Sequence, residues 1–124
     1  MRLDRASALL ECERGASAAE FAMLFPILVS TLLGIIWASL LVYSAASLHY
    51  AVEGAARCYS VESQCASASA AQNYAKGRYY GADTPTFIAS TPACGHQVSG
   101  TVTVAFNLAL ASWKVPLSAT ACFP

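Results

Sequence analysis

Apolar and polar positions divide the chain into three stretches. The first fifteen residues mix the two kinds and carry Arg2, Asp4, Arg5, Glu11, Glu13 and Arg14. From Phe21 to Val42 the sequence reads FAMLFPILVSTLLGIIWASLLV, and no Asp, Glu, Lys or Arg occurs between Glu20 and Glu53. A bilayer core about 30 Å thick is crossed by about 20 apolar residues in a helix. The run therefore predicts a transmembrane helix beginning around Glu20. A buried core helix would need partners on every side, and the rest of a 124-residue chain is too small to supply them.

Beyond the run, helical spacing continues. Tyr43 to Cys58 is rich in Ala, and Ala45, Leu48, Val52 and Ala55 or Ala56 form a narrow stripe of small side chains suited to packing against another helix. Tyr43, His49 and Tyr50 stand where interfacial aromatics are expected. A second helix is expected over roughly Ala66–Tyr80, ended by the turn signal Gly81-Ala82-Asp83-Thr84-Pro85. The pattern then changes to period two. Val98, Val102, Val104, Phe106 and Leu108 share one face, and Thr101, Thr103 and Asn107 the other. Val115, Leu117, Ala119, Ala121 and Phe123 alternate with Ser118 and Thr120, and a shorter strand is expected at Thr86–Ser90. The fold class is thus α+β: a long N-terminal transmembrane helix extending out of the membrane, a second short helix, and a small antiparallel sheet of two or three strands. The expected organisation is a leader over 1–15, a membrane helix over 16–43 and an exported domain over 44–124.

Charge narrows the function. Only 11% of residues are charged and the formal net charge is zero, against about 25% in ordinary soluble domains. No basic stripe exists to neutralise phosphates, so nucleic acid is not an expected partner. Arg2, Arg5 and Arg14 precede the span and only Arg57 follows it closely, a bias that favours a cytoplasmic N-terminus. Ser44-Ala45-Ala46 has the form of a secretory cleavage site, which would release the domain. The apolar run is longer than a secretory signal's, however, and Glu20 sits directly against its start. No G-x-S-x-G, H-E-x-x-H or Gly-rich phosphate loop occurs, so neither an enzyme nor a small-molecule substrate nor a cofactor is expected.

Cysteine usage bears on the exported part. Cys12 lies in the leader, leaving Cys58, Cys65, Cys94 and Cys122, which allow three pairings. The local choice joins Cys58 to Cys65 and leaves Cys94 with Cys122. The competing use, a metal site, lacks the C-x₂₋₄-C spacing of zinc modules, although His96 is near Cys94.

The junction before the span is the most informative segment. Ser17 with Glu20 three residues on makes a capping box, and an acid in a first helical turn is stabilising by about 0.3–1 kcal/mol. That alone accounts for a Glu at this position. The whole run Arg14-Gly15-Ala16-Ser17-Ala18-Ala19-Glu20-Phe21-Ala22-Met23-Leu24-Phe25-Pro26 says more. It resembles the start of the TadE-like pseudopilins (TadE/TadG) of the tight-adherence, Flp-type pilus system. Ala51-Val52-Glu53-Gly54-Ala55-Ala56-Arg57 likewise resembles the A-x-E-G-A-R stretch that follows the membrane helix in that family. The resemblance implies cleavage between Gly15 and Ala16 by a prepilin peptidase, with Glu20 and Phe21 as residues of processing and assembly. It implies other pilins and pilus assembly machinery as partners, and a bacterial inner-membrane protein with its C-terminal domain in the periplasm. It also supports the local disulfide pairing, since Ala93-Cys94-Gly95 and Cys122-Phe123-Pro124 are similar to recurrent features of the family. Glu53 and Arg57 are spaced for a helical ion pair worth about 0.3–0.5 kcal/mol. The alternative is an unprocessed, single-pass, membrane-anchored accessory or binding protein.

Overall fold

A computed structural model of the chain describes residues 3–108 and 111–124, with side chains for 17–107 and 111–124. The leader's first two residues, and the side chains of Cys12, Gly15, Ala16 and Leu108, lie outside that set. The order of elements is α1 (Leu3–Val61), a 3₁₀ turn (Ser63–Cys65), α2 (Ala68–Arg78), β1 (Thr86–Ser90), β2 (His96–Leu108) and β3 (Ala111–Phe123). The chain separates into two units, Met1–Ala38 and Ser39–Pro124.

The first unit is helix. The expected helix start near Glu20 is corrected: α1 is already helical at Leu3 and passes through Ser17, which is therefore not an N-cap. The leader supplies Leu, Ala, Glu and Arg, all good helix formers, and a single Gly costs only about 1 kcal/mol there. Pro26 lies inside the helix without ending it. The apolar side chains of this unit are exposed, with Phe21, Met23, Leu24 and Ile35 each more than 60% accessible. An all-round apolar helix with no protein cover is long and apolar enough to cross a membrane. Two of its hydroxyls are satisfied locally, Ser30 Oγ donating to the Ile27 carbonyl at 2.9 Å and Thr31 Oγ1 to that of Leu28 at 2.8 Å. This is the back-bonding by which polar side chains are carried on apolar helices.

The second unit holds the core. β1, β2 and β3 form one antiparallel sheet in that order, with Phe87 opposite Gly100 and Val102 opposite Leu117. One face is packed under α1 and α2 by Leu48, Val52, Ala55, Ala75, Phe87, Val98, Val102 and Ala119. The stripe on α1 is broader than the one expected from spacing. It runs through Ser44, Leu48, Ala51, Val52, Ala55, Ala56 and Cys58, and it packs on the sheet as well as on a helix. Small side chains suit this role because they let the helix lie close to the pleated surface. Gly100 marks the tightest approach: a Cβ there would stand 2.7 Å from the Phe87 ring and 2.9 Å from Leu48 Cδ1.

Two disulfides, Cys58–Cys65 and Cys94–Cys122, hold the ends of these elements. The first closes the link between α1 and α2. The second ties the turn before β2 to the last residues of β3. Gly95 in that turn has φ of +116°, and a Cβ would lie 2.2 Å from the Phe123 carbonyl oxygen. Only glycine meets both demands. β3 is longer than expected, beginning at Ala111 rather than Val115, and it contains Pro116. As the sheet's outer strand it tolerates a residue that cannot donate to the ladder. α2 is shorter than the expected helix, and its first turn is capped by Ser67, whose Oγ accepts from Ala70 N at 3.2 Å.

Candidate functional site

Two places bring chemistry-bearing residues together, and each lies within one unit. The first is the junction that leads into the span. Gly15 and Ala16 lie in the helical backbone of α1. Glu20 and Phe21 are exposed on it, and Phe21 meets Phe25 one turn on with ring centroids 5.8 Å apart. Glu20 is thus a carboxylate at the head of an uncovered apolar helix. An ionised group in that position is costly in a membrane unless it is paired.

The second is a groove of about 450 Å³ between α1 and α2, lined by Tyr50, Glu53, Arg57, Glu62, Tyr74 and Arg78 among others. Its centre is Arg78. The guanidinium lies 4.8 Å from the Tyr74 ring centroid and 5.8 Å from that of Tyr50, and it donates to the Tyr50 hydroxyl at 3.0 Å. Stacking on two rings fixes a long side chain that would otherwise sample many rotamers. Sequence reading missed this cluster. Its signal was present, because Tyr74 and Arg78 are four apart on a helix and so share a face. Tyr50 serves here as a hydrogen-bond partner, and His49 is exposed. Glu53 and Arg57 both face the groove, but among the described residues no ion pair joins them. Both are long exposed side chains, for which holding one geometry costs about as much as the contact returns. Gly54 sits beneath the cluster, where a Cβ would come within 3.8 Å of Tyr74. The groove offers charges of both signs and aromatic faces.

Around the open end of the β2–β3 hairpin the contacts are structural. Ser60 Oγ donates to the Pro124 carbonyl at 2.7 Å, and the rings of Tyr59 and His96 meet edge to face at 4.3 Å. Farther back along α1, the Tyr80 amide donates to Ser47 Oγ at 2.8 Å. Tyr79 is different. Its hydroxyl is buried with no hydrogen bond of proper geometry. Burial pushes the phenol above its ordinary value; neighbouring Ser44 opposes the shift and Asp83 adds to it. Among the described residues no cluster of three or more His, Cys, Asp or Glu is arranged to hold a metal ion. The four cysteines beyond the span are engaged as disulfides.

An exposed apolar helix running on into a small disulfide-stapled α+β unit is the architecture of a single-helix membrane anchor with an attached domain. The family comparison is more specific. A family model described as TadE-like protein matches residues 15–57. That segment, which joins the junction, the apolar run and the Ala51–Arg57 stretch, is similar to the family. No curated protein and no solved structure matches the chain. The matched stretch also has a physical reading. Within its Ala51–Arg57 part, Ala51, Val52, Ala55 and Ala56 are fully buried in the core and serve packing, while Glu53 and Arg57 look into the groove.

Proposed function

We propose that the protein is a pseudopilin or minor-pilin-like component that works in assembling a tight-adherence pilus, after a prepilin peptidase has cut between Gly15 and Ala16. The observation that carries this reading is a single continuous element, α1. It bears the Gly15–Glu20 junction, then an uncovered apolar run, then the packing stretch, all within the residues the family model matches. The peptidase removes the leader and leaves the whole hydrophobic helix in the product. Scission needs an extended peptide, so the turn around Gly15 has to unwind. Gly15, a poor helix former, lowers the cost of opening that turn.

Removal of the leader makes Ala16 the first residue and puts Glu20 in the first turn of the new helix. There the carboxylate complements the positive helix end and has a free α-amine of a neighbouring subunit as a candidate partner. Such a pair fixes register rather than adding much stability. The protein then sits in the inner membrane with residues 44–124 on the periplasmic side, where disulfides persist. Other pilins and the assembly machinery are its partners.

The test compares the chain expressed with and without a prepilin peptidase, alongside a Gly15→Ala variant. A product shortened by fifteen residues only with the peptidase and only with Gly15 supports the reading. A chain of unchanged length in every case defeats it in favour of an unprocessed anchored protein.

A further inference from the structure

We propose that the far end of the β2–β3 hairpin, around the Phe106–Trp113 pair, lies in the headgroup layer of the same bilayer that α1 crosses, with Trp113 and Lys114 as its anchors. The inference rests on the reading of α1 as a membrane span, and it adds a second point of membrane contact to the domain.

The argument starts from levels within the Ser39–Pro124 unit. Tyr59 meets His96, and Leu48 meets Gly100, so β2 runs antiparallel to this part of α1. Following β2 onward therefore leads back toward the apolar end of the helix. On α1 the exposed large apolar side chains at the start of the unit are Leu40, Val42 and Tyr43, with Tyr50 and Val61 following singly farther on. From there on, exposed positions include His49, Glu53 and Arg57. The polar boundary thus falls near Tyr43.

From Leu48 back to Val42 the helix covers about 9 Å at about 1.5 Å per residue. From Gly100 to Phe106 the strand covers about 20 Å at about 3.3 Å per residue. Even with half of that advance lost to twist and tilt, the Phe106–Trp113 pair reaches the level of Val42.

The hairpin's composition fits that level. β1 pairs with β2 only as far as Thr86 opposite Thr101, so beyond it the hairpin is a two-stranded ribbon. Its faces differ. Val104, Phe106, Trp113 and Val115 lie on the face that continues the core, and Thr103, Asn107, Ser112 and Lys114 on the other. Trp113 is 58% exposed although it lies on the apolar face. A large indole with one wet end and one apolar body is the residue type that collects at bilayer surfaces. Lys114 beside it supplies a cation for anionic headgroups. The ribbon's outer edges carry unpaired backbone groups, which hydrocarbon does not tolerate. The occupant is therefore the hydrated headgroup layer and not the acyl core.

The chain has two tryptophans, and each can be isolated by a conservative change. The full-length protein is reconstituted in vesicles of three parts phosphatidylcholine to one part phosphatidylglycerol, with nitroxide lipids labelled at the headgroup or deep in the acyl chain. In Trp37→Phe the remaining Trp113 is expected to emit to the blue of a water-exposed indole. Its quenching by the headgroup label should exceed that by the deep label several-fold. In Trp113→Phe the remaining Trp37 should be quenched by acyl-chain labels. Trp113 quenched only by aqueous iodide, with Trp37 still quenched from the acyl chains, overturns the proposal and leaves the span intact. Trp37 untouched by every lipid label refutes the span itself, and the proposal with it.

Discussion

At the scale of single residues, the most constrained positions are those where backbone and side chains come closest. Gly95 combines a positive φ with a carbonyl oxygen in the space a Cβ would fill. Gly95→Ala should destabilise the folded unit by more than the roughly 1–3 kcal/mol usual for an overpacked site, because backbone strain adds to it; thermal unfolding in detergent measures it. Gly100→Ala has a regular strand conformation and only side chains to displace, Phe87 and the fully buried Leu48. Its expected cost is about 1–3 kcal/mol. Tyr79 gives a pH signature. Because burial raises its pKa, the folded state holds the phenolic proton more tightly than the unfolded chain does. That contribution is complete below the phenol's ordinary value of 10.0 and is lost as pH rises through the folded value. Tyr79→Phe removes this titration, so its stability should fall less steeply above about pH 10 than that of the unaltered chain.

At the scale of elements, the two disulfides are unequal. Their partners are 7 and 28 residues apart in sequence. In the chain-entropy description the longer loop stabilises more, here by about 1 kcal/mol. Replacing Cys94 and Cys122 together by Ser should therefore lower the unfolding free energy by more than the same change at Cys58 and Cys65. Denaturant titration of the two double variants decides the order. Element boundaries show what the sequence carried and what it hid. The period-two alternation over β2 was plain, and the same alternation runs back through Trp113 and Ala111 in β3. β3 continues back past Pro116 and Lys114 because an outer strand accommodates both. The start of α1 was hidden for another reason. The Ser17–Glu20 capping pattern signals a helix start locally, but nothing in the leader stops a helix, so propensity on both sides carries it through.

At the scale of the whole molecule, the sequence made legible whatever depends on local period and hydrophobicity. The apolar run, the second helix, the strands and the four cysteines beyond the span were all readable without coordinates. What depends on three-dimensional meeting was not. Arg78 reaches Tyr50 from 28 residues away in sequence, and the Arg57 that spacing assigned to Glu53 is left facing the groove. The junction lies at the other extreme: its chemistry is written in the residues themselves, and the fold adds the helix that must open for it to be used. Glu20→Gln should leave the folding of residues 39–124 unchanged, because Glu20 belongs to the other unit. It should impair pilus assembly if the carboxylate pairs with a neighbour's α-amine, and piliation of cells carrying this variant measures that. The central claim is processing, and the mass of the N-terminal peptide of protein extracted from membranes of peptidase-bearing cells tests it most directly. The account predicts a mature chain beginning at Ala16, bare or N-methylated. A chain that keeps residues 1–15, or one that begins at any other residue, contradicts it.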